Sequence, residues 1–91
     1  MRRVMPEERL RQKAREALRA GLLPARAPDR TFGGAGSGAA CAICGEPVRP
    51  HQVGFEVEYR RHGVDPGLDR FELHPKCLKA WEHERINPTA P

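Results

Sequence analysis

The sequence predicts a small α+β domain stabilised by a metal ion, preceded by an amphipathic helix and a Gly/Pro-rich linker. Three observations carry that expectation. Cys41-Ala42-Ile43-Cys44 and His74-Pro75-Lys76-Cys77 each place two soft ligands three residues apart. The stretch between them, residues 45–73, has the alternation of a β-hairpin, and the second ligand pair opens a helical stretch. Finally, 91 residues with 38% apolar content, nine Gly and nine Pro can bury only a thin core. A chain of that size commonly needs a metal, a disulfide or a partner to be stable.

The totals narrow the class further. Three cysteines are an odd number, whereas a secreted disulfide scaffold normally carries an even one together with a signal peptide. The N-terminal stretch has no apolar run longer than Leu22-Leu23, so neither a secretory signal nor a membrane span is predicted. Glu7, Glu8 and Glu16 argue against an organelle transit peptide, and a reducing cytoplasmic setting is the expectation. The net charge of +4 is uneven. Residues 1–30 hold nine Arg and Lys against four acids, residues 31–40 hold no charge, and residues 41–91 hold seven against eight. The basic character therefore lies in the N-terminal arm.

Within segment 1–23, residues 6–20 read as a helix. Pro6 suits the first turn, Glu7 and Glu8 oppose the helix dipole there, and Gly21 stands where a C-terminal cap belongs. The interior is almost entirely strong helix formers. Leu10, Ala14, Ala17 and Leu18, with Leu22 beyond the cap, form a narrow apolar stripe against basic sides. Such a stripe serves docking onto the remaining chain, or a basic face for acidic partners; a solvated, fraying helix is the bland alternative. Residues 24–40 read as linker, semi-stiff around Pro24 and Pro28 and flexible across Gly33-Gly34-Ala35-Gly36-Ser37-Gly38. Phe32 interrupts this stretch and is expected to pin it onto the following domain.

Residues 41–87 read as the metal-built unit. Gly45 follows the second cysteine where a ligand turn needs positive φ. Val53, Phe55, Val57 and Tyr59 face one way and Gly54, Glu56 and Glu58 the other, as in a half-buried strand. His62-Gly63 and Asp65-Pro66-Gly67 are turn chemistry, in a loop longer than most hairpins use. Leu68 to Leu73 returns with Phe71 and Leu73 inward. Pro75 begins a helix running to about Ile86 and stopping before Asn87-Pro88, with Cys77, Leu78, Trp81 and the stem of Arg85 on one face. Residues 88–91 read as a disordered tail.

Cys41, Cys44, His74 and Cys77 supply three sulfurs and one imidazole, a closed tetrahedral set for one structural Zn²⁺. His62 or His51 could replace His74, whereas His83 lies six residues beyond Cys77 and turns away from that face. Three free buried cysteines are the alternative without a metal. A thioredoxin-like use of Cys41 and Cys44 is disfavoured, because Gly45-Glu46-Pro47 cannot open the helix that such a motif starts. With all four positions filled by protein, catalysis at the metal is not expected.

These four residues, with a hairpin between the pairs, resemble a treble-clef zinc finger, and the resemblance covers residues 41 to about 86. It implies a zinc knuckle at Cys41 and Cys44, a β-hairpin, and a helix carrying the last ligands. The His-x2-Cys half is also similar to the first zinc module of LIM domains, with a longer spacer and no second module following. As a whole the chain is similar to small bacterial zinc-finger proteins, a likeness that implies no particular activity. The expected function is a protein-interaction module that is not an enzyme. Nucleic-acid binding through the Arg-rich helix is the alternative and a metal-dependent enzyme the third reading.

Overall fold

A computed structural model describes residues 6–87. The elements in order are α1 (Glu7–Arg19), β1 (Arg30–Ala35), β2 (Val53–Arg61), β3 (Gly67–Leu73) and α2 (Pro75–Ile86). The strands form one antiparallel sheet in the order β1-β2-β3. The segment 1–5 and the tail 88–91 lie outside the described residues.

Helix α1 starts from an extended Pro6, with Glu7 and Glu8 in the first turn. It ends where Gly21 takes φ 72°, with Leu22 N–H bonding Ala17 O and Gly21 N–H bonding Leu18 O. That pair of bonds is a Schellman cap, and it requires the left-handed conformation that glycine adopts without strain. The cap also corrects the predicted stripe. Leu10, Ala14 and Ala17 are buried and Leu18 packs beside them, but Leu22 is 62% exposed while Leu23 is buried. Helical spacing stops at Gly21, so the reversal carries Leu22 outward and Leu23 into the core.

The buried side of α1 packs against α2 rather than fraying in solvent. Its small residues allow close approach, and Arg15 reaches the buried carboxylate of Glu84 at 3.3 Å.

The stretch read as linker contains β1, a correction to the flexible segment expected there. Arg30 pairs with Glu58 and Ala35 with Val53 along β2. Gly33, Gly34 and Gly36 mask the strand because glycine has low β-propensity. Tight packing explains one of them: a Cβ on Gly36 would lie 2.3 Å from the carbonyl oxygens of Val48 and Arg49. Two carboxylates tie the ends of the strand. Asp29 accepts the Arg60 N–H at 2.6 Å, and Glu72 accepts the Ser37 N–H at 2.9 Å together with the Ser37 hydroxyl. Phe32 is 46% exposed, so strand pairing, and not the ring, holds this segment.

Strand β2 alternates as expected at Val57 and Tyr59, both buried, and at the half-buried Phe55. Val53 instead lies exposed at the strand's start, and Glu58 on the opposite face is buried, where Arg70 bonds it at 2.8 Å. The β2–β3 loop spans residues 62–66, an ordinary hairpin length, because β2 continues to Arg61 opposite Gly67. On the inner face Leu73 is fully buried and Phe71 half-buried. Tyr59 stands edge-on to both Phe71 and Trp81, with centroids 6.0 and 6.4 Å apart. Trp81, Ala80 and Cys77 are the buried apolar residues of α2, and the Arg85 guanidinium lies 5.1 Å from the Trp81 ring centre.

The Tyr59 hydroxyl donates to the Arg26 carbonyl oxygen at 3.1 Å, and burial pushes its pKa up to about 12. The neutral phenol is the form that the fold favours. Its contribution is complete below the ordinary value of 10.0 and is lost as pH rises from there through about 12. Tyr59 is the only tyrosine, so the 295 nm absorbance of the native chain should titrate with a midpoint near 12. A midpoint near 10 would show the phenol to be free of the core. On the acid side, the Arg60 N–H lowers the pKa of Asp29 and the Ser37 hydroxyl and N–H lower that of Glu72. The stabilisation from these depressed pKa values is complete above the ordinary carboxylate range and is lost as pH falls through the lowered values. The amide proton shifts of Arg60 and Ser37 should therefore titrate with midpoints below 3.8 and 4.5 respectively.

Candidate metal centre

Two elements meet at the cysteine cluster. The turn from Cys41 to Glu46 is closed by Cys41 N–H to Glu46 O at 2.8 Å and by Gly45 N–H to Cys41 O at 2.9 Å. Gly45 takes φ 81°, the conformation expected of it. This backbone leaves both sulfurs on one side of the turn, and the Ile43 N–H points at Cys41 Sγ from 3.5 Å. The second element is the start of α2. His74 occupies the cap position in extended geometry, Pro75 follows, and Cys77 lies buried on the first turn. The Ala42 N–H bonds the Glu72 carbonyl at 2.9 Å, which fastens the turn to β3 two residues before His74.

One ligand atom from each of Cys41, Cys44, His74 and Cys77 lies within 4.8 Å of all the others. Tetrahedral zinc, with bonds of about 2.3 Å to sulfur and about 2.0 Å to nitrogen, sets its ligand atoms roughly 3.4 to 3.8 Å apart. The 3.4 Å between Cys44 Sγ and His74 Nδ1 matches that spacing. The other ring nitrogen, Nε2, lies 3.2 Å from the Pro47 carbonyl oxygen. A carbonyl only accepts, so Nε2 carries the proton and the Nδ1 lone pair faces the sulfurs. That arrangement orients a ligand histidine and raises its basicity.

The thiols alone are an unbalanced group. The Cys77 S–H stabilises a thiolate on Cys41 and holds its pKa well below the ordinary thiol range. The same contact, with burial and the neighbouring sulfurs, pushes Cys77 up, and burial pushes Cys44 up. One negative charge is accommodated, while a second and third need a compensating cation at the centre. Three sulfurs and one imidazole at these distances suit a thiophilic divalent ion such as zinc.

The structure brings together the four residues that the spacing singled out. His51 and His62 are both exposed and outside the cluster, as is His83 on the outward side of α2. The supporting groups that sequence reasoning missed are the Pro47 carbonyl and the Ile43 N–H. Both belong to the backbone, and no residue type announces them.

Zinc-site formation is worth about 10 kcal/mol or more in finger-sized units, comparable to the whole stability of a small domain. Cys77→Ser should therefore abolish stoichiometric metal binding and the folded circular dichroism spectrum, whereas His51→Ala and His62→Ala should leave both unchanged. Elemental analysis and circular dichroism of the three variants check this, and full metal content in Cys77→Ser would break the assignment. No protein-family model, curated protein or solved structure matches the chain significantly, so the assignment rests on the geometry of these four side chains.

Proposed function

We propose that this chain is a non-catalytic protein-interaction module built on one structural Zn²⁺ held by Cys41, Cys44, His74 and Cys77. In this reading the ligand turn, the β2–β3 hairpin and α2 make a treble-clef-like finger, with α1 and β1 as additions to it. The observation that carries the proposal is the convergence of four possible ligand atoms within 4.8 Å of one another, two of the four residues being buried. A closed set holds elements in place, whereas a catalytic zinc keeps a position for water or substrate. The cleft of about 540 Å³ bordering Cys41 supports the same reading. Its charged side chains already engage protein groups: Arg70 meets Glu58 and Glu56, and Glu72 holds Ser37.

Charge placement favours a protein partner over nucleic acid. Arg11 pairs with Glu7, Arg15 with Glu84, Arg26 with Asp29, and Arg61 with Asp65 and Asp69. Docking of α1 thus commits part of the basic arm internally, and phosphate contacts need cations that remain available. Among the described residues no helix is long and apolar enough to cross a membrane. Three thiolate ligands fit a reducing compartment, and a cytoplasmic location is part of the proposal.

Heparin and duplex DNA retention, measured for the zinc-loaded full chain and for Arg9→Ala/Lys13→Ala/Arg19→Ala, tests the choice of partner. The expected outcome is equal and weak retention of both proteins at about 0.15 M salt, where exposed charges more than about 8 Å apart are already screened. Tight retention by the wild type that the triple variant loses would replace this reading with nucleic-acid binding.

A further inference from the structure

We infer that β1 is a docking edge for a second copy of this chain, pairing antiparallel with the partner's β1 to make one continuous six-stranded sheet. The two edges of the sheet are built differently. The β3 edge is closed at one end by the Ala42 N–H on Glu72 O, and it carries Asp69, Arg70 and Glu72. All six residues of β1 are exposed, and from Thr31 to Ala35 the strand has no charge and no proline. Natural sheets blunt an open edge with charges, proline, a bulge or a cover. Among the described residues none of these protects Thr31 to Ala35.

The hydrogen-bond phase shows which groups are available. The Gly36 N–H bonds Gln52 O at 2.9 Å, so alternation along an antiparallel ladder directs residues 30, 32 and 34 toward β2. The N–H and C=O groups of Thr31, Gly33 and Ala35 then face the open edge. A two-fold axis perpendicular to the sheet at Gly33 pairs Gly33 with its own copy, and Thr31 with Ala35 on either side. Those pairs form up to about six main-chain hydrogen bonds.

Side chains select the second copy as occupant and set this register. It places Phe32 of each chain directly opposite Gly34 of the other, on the face away from Trp81. Gly34 pairs with Gly54 inside the molecule, and Val48 and Glu72 already fill the space over Gly54. A Cβ built on Gly34 meets nothing within 4 Å, which leaves a slot of open space two residues from an exposed aromatic ring. The strand already uses this device once. Gly33 lies opposite Phe55, whose ring comes within 3.1 Å of where a Cβ would be. Aromatic cover of a cross-strand glycine is an established stabiliser of sheets. In the dimer it occurs twice by symmetry, an isologous contact with no like charges facing across the central pairs.

A ladder this short buries less than a standard interface, so the association is weak and concentration-dependent. The experiment is sedimentation equilibrium of the zinc-loaded full chain from about 10 µM to about 1 mM, repeated for Phe32→Ala and Gly34→Lys. Both positions are exposed, so each variant should keep its metal content and circular dichroism spectrum, measured on the same samples. The expected result is a monomer–dimer equilibrium in the wild type, weakened at least tenfold by either substitution. A wild type that stays monomeric at about 1 mM overturns the inference. So does a dimer that both variants preserve, or an edge that pairs only with an unrelated strand. The inference uses the folded domain, but not the proposed heterologous partner. Loss of metal or fold in the control measurements would mark a failure of the zinc reading, distinct from a failure of the edge.

Discussion

Convergence of four ligand atoms, two from the Cys41–Glu46 turn and two from the start of α2, is the constraint on which the rest depends. The two elements are separated by the entire hairpin, and few apolar contacts are available to hold them. Ile43 and Val48 are the buried apolar residues beside the turn, and Cys77, Ala80 and Trp81 those of the helix. A core of that size is small against the conformational entropy of ordering the chain. A metal ion held by both elements would shift that balance where packing is thinnest.

From this junction the structure is assembled outward in two directions. The hairpin packs its inner face, Val57, Tyr59, Phe71 and Leu73, toward α2, and α2 presents Ala80 and Glu84 to α1. Helix α1 packs on α2, while β1 widens the sheet beyond β2. Residues between α1 and β1 are not idle connection. Leu23 is buried, the Arg26 guanidinium lies 5.0 Å from the Tyr59 ring centre, and the Arg26 carbonyl takes the Tyr59 hydroxyl bond. The arm and the hairpin therefore share one aromatic core.

The parts legible in the sequence were those with a local signature. Paired ligands at spacing three, a glycine after the second cysteine and proline after His74 each act within a few residues, and they located the cluster and the start of α2. Alternation placed Val57 and Tyr59 correctly. What stayed hidden depended on contacts far along the chain. Strand β1 looks like linker because of its glycines, yet Gly33 lies against the Phe55 ring, and Gly36 just beyond the strand lies against the Val48 and Arg49 carbonyls, none of them near in sequence. Glu58 looks exposed by alternation and is buried because Arg70 on the next strand neutralises it. Leu22 and Leu23 exchanged roles because a Schellman cap ends helical spacing within one residue, and the cap had been expected without its effect on the chain beyond it.

The order of these elements along the chain matters during synthesis. Helix α1 and strand β1 are made before α2 and β2, the elements they pack against. His74 and Cys77 are among the last of the residues described. At about 5 to 20 residues per second, the arm spends several seconds beside the ribosome with Leu10, Leu23 and Phe32 uncovered. A metal held by all four residues could not find its complete site until the start of α2 has been made. Completion of the fold therefore waits on α2, the element that both the arm and the ligand turn need.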